Sequence, residues 1–448
     1  MKRKPVSWER VEQEAADLLS RYLQIDTTNP PGNETAGALY LKDILDREGI
    51  ACTVFESIPG RGSLLSGFCG TQERPDILLL HHIDVVPAEK KKWTHPPFSG
   101  LVKQQEIWGR GAVDCKSLGI MELMAFILLK RQGLQPETHC VYAATADEEA
   151  GGTWGVQWLL DSCPEKLEAR CIINEGVGLG FDPAQQGLYL CQVAEKGACW
   201  IRISFQGSPG HGSVPHDDNC VVFMSRAIDA LARHRFPFRI TEPVKPFLRA
   251  LAREQKEIPP EKFLVLLDEK RIEDVLGDIT NDAFRGMLAA TLQNSAVPTV
   301  ACAGSKTNVI PSESYCEVDC RILPDTTPEQ CIDDITAILK QAGCKGFSVA
   351  LKGGSAASAS PVETPFYKAL EKAFSAVDPA ARVVPYLSAG ATDSRFFREK
   401  GIPAYGVQFQ SSCESARMVH GHNERISISW LTFGIKVLYT LLQRFCRS

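Results

Sequence analysis

An apolar run that ends in polar residues is the feature that most constrains this chain. Residues 77–87 read ILLLHHIDVVP, so that His81, His82 and Asp84 follow the apolar residues almost directly. An apolar run of this length predicts a buried strand. Imidazoles and a carboxylate at the end of a buried strand cost free energy to desolvate unless something binds them. The run therefore predicts a strand with a binding site at its end.

Length and composition are those of a globular protein with more than one domain. The chain has 448 residues, of which 44% are hydrophobic and 23% charged. This length exceeds one ordinary core, so we expect two domains. A net charge of −5 gives no support for nucleic-acid binding. The first residues have amphipathic helical spacing instead of a signal peptide, and no segment is apolar for the roughly 18 residues of a membrane span.

Helical and strand patterns alternate along residues 1–195, which predicts an α/β layer with a largely parallel sheet. The pattern then changes to strand–helix–strand–strand–helix–strand, which is typical of a ferredoxin-like sandwich. After a linker rich in Gly, Ser and Pro at 353–365, the first pattern resumes. We therefore predict one domain formed by residues 1–195 and 356–448, with a second domain, 196–355, inserted into it.

Polar clusters follow several of the predicted strands. Glycine-rich or turn-like segments accompany most of them, and their candidate residues are His81, His82, Asp84, Asp114, Asp147, Glu148, Glu149, Glu175, His420, His422 and Glu424. In an open parallel sheet, ligands bind beyond the carboxyl ends of the strands. We therefore expect these clusters to converge at one edge of the sheet.

The residue types in these clusters indicate metal chemistry. Imidazoles and carboxylates, without a required thiolate, suit borderline divalent ions such as Zn²⁺, Co²⁺ or Mn²⁺. A carboxylate that bridges two ions about 3.5–4 Å apart would create a two-metal hydrolytic site. Of the adjacent Glu148 and Glu149, one can bind metal while the other remains free to act as a base.

The motifs HHIDVVP, GRGAVDCKS, DEEAGG, INEG and HGHNE occur in this order. Together they resemble the two-metal zinc peptidase and deacylase family of glutamate carboxypeptidase, succinyl-diaminopimelate desuccinylase, acetylornithine deacetylase, aminoacylase and carboxypeptidase S. The resemblance covers essentially the whole chain. It implies an α/β catalytic domain with a mixed, mostly parallel sheet between helices, and an inserted ferredoxin-like α+β domain that serves as a lid and in dimerisation.

The resemblance also implies roles for individual residues. Two divalent ions, zinc first and cobalt or manganese as alternatives, would be bound by His82, Asp114, Glu149, Glu175 and His420. Asp114 would bridge the ions, and Asp84 would orient the imidazole of His82. Glu148 would be the general base, while His81 would be a packing residue.

The inserted domain carries a further motif, GSPGHGSVPHDDN, which resembles the family's lid motif. It implies that His211 donates to the oxyanion of the tetrahedral intermediate. Asn308, Arg321 and Arg395 match substrate-contacting positions of the family. A homodimer through the lid domain is one arrangement that the resemblance implies. Extra residues at about 236–290 leave open whether His211 acts in its own subunit or in the partner's.

The resemblance implies a hydrolase of an amide or peptide bond, acting by metal-activated water. The substrate would be a small molecule with a free carboxylate, a dipeptide or an N-acyl amino acid. A biosynthetic deacylase, such as acetylornithine deacetylase or succinyl-diaminopimelate desuccinylase, is the alternative enzyme. A catalytically silent metal-binding or ligand-binding protein predicts damage to the ligand set, which is intact. The 16 cysteines occur without a CxxC pair, which predicts reduced thiols in the cytoplasm.

Overall fold

The computed structural model describes residues 5–176, 187–255, 257–409 and 418–446. These residues form a large sheet with hydrophobic clusters on both of its faces. They also form a smaller sheet, whose strands come after β8 (Leu188–Glu195) and before β15 (Ser358–Ala359) in the sequence. In this described part of the chain, no helix has the length and apolar character needed to span a bilayer.

The strands and helices alternate through much of the chain. The strands are β1 (Cys52–Glu56), β2 (Gly62–Ser66), β3 (Ile77–His82), β4 (Leu101–Lys103), β5 (Glu106–Trp108), β6 (Cys140–Thr145), β7 (Cys171–Glu175), β8 (Leu188–Glu195), β9 (Gly197–Gln206), β10 (Gly210–His211), β11 (Ser295–Ala303), β12 (Val309–Ile310), β13 (Glu313–Ile322), β14 (Phe347–Ser355), β15 (Ser358–Ala359), β16 (Arg382–Ser388), β17 (Ala404–Val407) and β18 (Arg425–Ser427). The helices are α1 (Trp8–Leu23), α2 (Glu34–Arg47), α3 (Lys116–Arg131), α4 (Trp158–Ser162), α5 (Cys220–Arg233), α6 (Val244–Glu254), α7 (Pro260–Phe263), α8 (Ile272–Gly277), α9 (Asp282–Leu292), α10 (Pro328–Gln341), α11 (Pro365–Val377), α12 (Ser394–Glu399) and α13 (Ile428–Phe445).

The large sheet has the strand order β1–β2–β6–β3–β7–β17–β8–β15, and β16 pairs with β8 off this path. The pairs β6–β3, β3–β7 and β7–β17 at its centre are parallel. Antiparallel pairs flank this centre, with β2 beside β6 on one side and β8 beside β17 on the other. The predicted fold class, a mixed and mostly parallel sheet between helices, is confirmed.

The apolar run in β3 is explained by burial on both faces. Ile77 and Leu79 belong to the hydrophobic cluster that contains α1, α3 and α13, whereas Leu78 and Leu80 belong to the cluster that contains α4. Since successive side chains of a strand point to opposite faces, both sets of positions must be apolar. The same parallel packing brings the carboxyl ends of β3, β6, β7 and β17 to one edge of the sheet.

A smaller sheet forms the inserted domain. Its strand order is β11–β13–β9–β14, and all of its pairs are antiparallel. Helices α5 and α10 contribute to its hydrophobic core. The chain order β9–α5–β11–β13–α10–β14 is that of a ferredoxin-like sandwich. This sheet lies within residues 196–355, where the sequence predicts the inserted domain, and it is called the lid below.

Two local elements differ from the sequence-based expectation. Strand β11 is not predicted because most of its residues are exposed and it contains Pro298, with a register shift between Pro298 and Val300. Proline is tolerated in this way at the edge of a sheet. Periodicity in the sequence predicts a helix over 153–162. Only α4 is a regular helix there, because Gly155 has a non-helical backbone and lies against the carbonyl of Ala146.

The extra residues of the inserted segment pack on the larger domain. Apolar residues of α6, α8 and α9 belong to the same hydrophobic cluster as the helices of the large sheet. The rings of Phe247 in α6 and Tyr386 in β16 lie 6.3 Å apart. Lys196, between β8 and β9, is buried and donates to the carbonyls of Ala290 and Gln293 at the end of α9. The segment is therefore anchored to the larger core and to the start of the lid.

The substitution Phe247→Ala tests this packing. The ring is fully buried, so its removal leaves a cavity and should lower the free energy of unfolding of the larger domain by about 3–5 kcal/mol. Urea denaturation followed by tryptophan fluorescence measures the loss. Leu264→Ala on the same segment is the control, because Leu264 is 40% exposed and should cost less than about 1 kcal/mol. Equal losses for the two variants would contradict the described packing.

Candidate metal centre

Each of the five predicted metal ligands lies at or just beyond the carboxyl edge of the large sheet or in a loop that reaches it. His82 and Glu175 are the last residues of β3 and β7. Asp114 precedes α3, and Glu149 lies in the turn that follows β6. His420 lies in the loop before β18 and has a left-handed backbone with φ of 57°. Segments distant in sequence are therefore brought to one place by the parallel strands.

The five side chains form two groups that share Asp114. In the first group, Nε2 of His82 lies 3.0 Å from Oδ1 of Asp114 and 3.5 Å from Oε1 of Glu175. In the second, Nε2 of His420 lies 3.3 Å from Oδ2 of Asp114 and 3.1 Å from Oε2 of Glu149. Asp114 thus presents one oxygen to each group, which is the geometry of a bridging carboxylate.

The charges of this cluster fit divalent cations. Burial, and then the charge of Asp114, raises the pKa of Glu175 to about 8 and also raises the pKa of Glu149. Oε1 of Glu149 is buried without a hydrogen-bond partner among the described residues. Imidazole nitrogens and carboxylate oxygens bind Zn²⁺, Co²⁺ and Mn²⁺, and such ions would offset the repulsion between the carboxylates. The donor set therefore fits a pair of divalent ions.

Two neighbouring side chains are less suited to bind an ion. Cys115 lies near the first group, where its sulfur accepts a hydrogen bond from the backbone of His82 at 3.3 Å, and burial raises the pKa of its thiol well above the ordinary value. His81 lies in the core, with Nδ1 3.4 Å from Glu122 and Nε2 3.4 Å from the hydroxyl of Tyr22. The position of His81 agrees with its predicted packing role.

Asp84 connects His82 to the turn that carries Glu148 and Glu149. Its buried carboxylate accepts hydrogen bonds from the backbone N–H groups of Glu148 and Glu149, both at 3.1 Å, and from the amide of Asn29 at 2.8 Å. Nδ1 of His82 lies 2.9 Å from the Asp84 carbonyl and 3.5 Å from its carboxylate. The backbone of Asp84 is thus the nearer partner of the imidazole, while its side chain fixes the glutamate turn.

Glu424 holds the loop that carries Asp114, a contact that sequence reasoning misses. Its buried carboxylate accepts from the backbone N–H groups of Val113 at 2.7 Å, Asp114 at 3.0 Å and Gly111 at 3.1 Å. The guanidinium of Arg110 also donates to it at 2.8 Å. The HGHNE motif contains Glu424, but nothing in the sequence indicates which backbone groups it binds.

A second buried network fixes the start of the glutamate turn. Asp147 has a left-handed backbone with φ of 72°. Its carboxylate accepts from the backbone N–H of Trp154 at 2.8 Å and from Asn29 at 3.2 Å, and lies 3.0 Å from the guanidinium of Arg61. Arg61 also pairs with the buried Glu34. Neither Asn29 nor Arg61 belongs to a motif, so the sequence carries no signal for this network.

Glu148 follows Asp147 directly, so the same network fixes the position of its backbone. Burial, and then the negative charge of Glu175, raises the pKa of Glu148 well above its ordinary value. The adjacent Glu149 faces His420. Of the two neighbouring glutamates, one is thus in the ligand cluster, and the other is a half-buried carboxyl group with a raised affinity for protons.

The predicted substrate residues of the lid form hydrogen bonds within the lid. His211 in β10 is exposed, and its Nδ1 lies 2.7 Å from the hydroxyl of Ser213. Strand β10 pairs with β12, so that the carbonyl of Asn308 accepts from the N–H of Gly212 at 3.0 Å. Arg321 in β13 pairs with Asp319 in the same strand at 2.9 Å. His211 and Asn308 are therefore neighbours, whereas Arg321 lies on another strand.

Arg395 lies beside the glutamate turn, with its guanidinium bound to backbone carbonyls. It donates to Thr392 at 2.9 Å and to Gly151 at 2.8 Å, and it lies 4.4 Å from the ring centroid of Phe396. A contact with a substrate carboxylate requires that these bonds be exchanged. Asp393, which the prediction omits, is buried with both carboxylate oxygens unpartnered among the described residues, and burial raises its pKa to about 7.

Comparisons with known proteins identify the family of this chain. The model of "Peptidase family M20/M25/M40" matches residues 78–444. Aminoacylase-1 of Mus musculus is 26% identical over 96% of this chain and 95% of the mouse protein. The N-fatty-acyl-amino acid synthase/hydrolase PM20D1 of Homo sapiens is 27% identical over 82% of this chain and 73% of the human protein.

The fold also resembles that of a solved structure. An M20 family metallo-carboxypeptidase, Sso-CP2 from Sulfolobus solfataricus, superposes with a TM-score of 0.72 at 20% sequence identity, covering 97% of this chain and 99% of that protein. At this identity the similarity establishes the fold alone. Since the family model spans most of the sequence, the resemblance found in the motifs is confirmed: the protein belongs to peptidase family M20/M25/M40 and is a hydrolase of peptide or amide C–N bonds.

Proposed function

We propose that the protein hydrolyses the amide bond of a small substrate with a free carboxylate, a dipeptide or an N-acyl amino acid, at a site with two divalent ions. The observation that carries this proposal is the position of Asp114. Its two carboxylate oxygens face two different imidazoles, His82 and His420, at 3.0 and 3.3 Å. A shared carboxylate between two groups of nitrogen and oxygen donors is what a two-metal hydrolytic site requires.

The ligand roles follow from the two groups. His82 and Glu175 would complete one ion site with Asp114, and Glu149 and His420 would complete the other. Zinc is our first choice, with cobalt or manganese as alternatives. When bound, the ions would polarise the scissile carbonyl and make the attacking water more acidic. The intact donor set argues against a catalytically silent protein.

Glu148 is the proposed general base. Asp84 holds the backbone of its turn, and Glu148 directly precedes the proposed ligand Glu149 in the chain. Burial raises the pKa of Glu148, so the carboxylate has a higher proton affinity than an exposed glutamate. A base with this property can remove a proton from the attacking water and then deliver it to the leaving nitrogen.

The lid supplies most of the proposed substrate contacts, and α12 of the larger domain supplies Arg395. His211 would donate to the oxyanion, and Asn308, Arg321 and Arg395 would bind the carboxylate end of the substrate. The pairing of β10 with β12 supports a shared role of His211 and Asn308. Closure of the lid over the sheet edge would exclude water. A homodimer through the lid and a cytoplasmic location belong to the same proposal.

The substitution Glu148→Gln tests the base. It removes the proton acceptor but leaves the five ligands in place, so we expect turnover to fall by roughly 10²–10⁴-fold with the bound metal unchanged. Steady-state hydrolysis of acetylated amino acids and dipeptides, together with elemental analysis of the purified protein, provides both readouts. Glu165→Gln, at an exposed glutamate, is the control. Retained turnover in Glu148→Gln would assign the base to another group.

A second substitution, Glu424→Gln, tests the support of the Asp114 loop. Loss of the carboxylate that accepts from Val113, Asp114 and Gly111 should weaken metal affinity by roughly 10–100-fold, as for other residues that orient ligands. Competition with a zinc-binding dye measures the affinity without relying on activity. The control is Glu106→Gln in β5, which removes a hydrogen-bond partner of Arg425 in β18. Unchanged affinity in Glu424→Gln would show that the loop needs no such support.

A further inference from the structure

A cavity of about 50 Å³ lies beside the two ligands Asp114 and Glu175. Its other walls include apolar side chains from the start of α3 and the end of β17, namely Leu118, Met121, Val407 and Phe409. A buried water needs about 10–15 Å³ of such space, so the cavity has room for roughly three to five waters. This is the size of a short aliphatic group.

The apolar wall is fixed by the helices behind it. Leu118, Met121, Val407 and Phe409 are each at most 5% exposed. Gly434 in α13 lets the wall pack closely, because a Cβ atom there would lie 2.2 Å from the sulfur of Met121 and 3.1 Å from the ring of Phe409. A rigid apolar wall holds its shape before a ligand arrives and binds apolar groups in preference to polar ones.

We infer that this cavity is a subsite for a short aliphatic group of the substrate, attached next to the scissile amide. The inference rests on the proposed function, since the ligands Asp114 and Glu175 at the cavity place the reacting carbonyl there. A carboxylate at the end of the substrate chain would lose its hydration against apolar walls. The subsite therefore favours alkanoyl or alkyl groups and disfavours a succinyl group.

The aliphatic group has two sources, the acyl chain or the amino-acid side chain, and two substrate series distinguish them. One series extends the acyl group of N-acyl-alanine from acetyl through butanoyl and hexanoyl to octanoyl. The other keeps the acetyl group and extends the side chain from alanine to norvaline and norleucine. We expect kcat/KM of the metal-loaded enzyme to rise roughly fourfold per methylene in one series, until the cavity is full. Succinyl-alanine should be a poorer substrate than butanoyl-alanine.

Substitutions at Leu118 test the location of the subsite. Leu118→Phe should shorten the preferred chain and Leu118→Ala should lengthen it, as judged by the ratio of kcat/KM for hexanoyl and acetyl substrates. This ratio is unaffected by a loss of active enzyme, and the alanine variant keeps the test available if the larger side chain prevents folding. The matched controls are Leu231→Phe and Leu231→Ala in the core of the lid, where the leucine is similarly buried at 3% exposure. Their ratios should equal that of the unsubstituted enzyme.

A binding measurement separates this inference from the proposed function. Calorimetry with the metal-loaded protein should show that hexanoate binds more tightly than acetate, and that the Leu118 variants alter this preference. An enzyme that cleaves acetyl-alanine, with no dependence on chain length in either series and equal affinity for the two acids, would overturn the subsite. If the protein prefers hexanoate but cleaves neither the acyl amino acids nor dipeptides, the proposed function is wrong, and the inference of an aliphatic subsite still holds.

Discussion

Asp114 lies close to both Glu149 and Glu175 at the carboxyl edge of the large sheet, where burial reduces the screening of their charges by water. The parallel pairing of β3 with β6 and β7 fixes the positions from which two of these segments emerge. After burial, the negative charge of Asp114 is the main cause that raises the pKa of Glu149 and of Glu175. Two bound cations would replace this repulsion by attraction. The sheet gathers the carboxylates at one edge, and the proposed metal ions would offset the repulsion that results.

Backbone amides hold this charged cluster in position. Asp84 accepts from the amides of the glutamate turn, Glu424 from those of the Asp114 loop, and Asp147 from that of Trp154. All three carboxylates are buried, and each accepts from backbone N–H groups that lie outside the paired strands. A site built in this way is organised before substrate binds, which is what precise positioning of ligands and base requires.

Much of this architecture can be predicted from the sequence because local patterns determine it. The apolar run of β3 requires burial on two faces, and the parallel sheet then brings His82 and Glu175 to one edge. Long-range contacts leave weaker signals. Glu424 binds backbone groups about 310 residues away, and an amide has no sequence signature. The exposed edge strand β11 lacks an apolar alternation. The apolar faces of α6, α8 and α9 predict burial, but they do not indicate whether these helices pack on the larger domain or on the lid.

An anomalous-scattering map of zinc-loaded crystals tests whether two cations are bound by the five proposed ligands, His82, Asp114, Glu149, Glu175 and His420. Data collected on both sides of the zinc absorption edge locate the ions without reference to activity. We expect two peaks about 3.5–4 Å apart, one beside His82 and Glu175 and one beside His420 and Glu149, with Asp114 between them. A single peak, or peaks bound by other residues, would contradict this expectation.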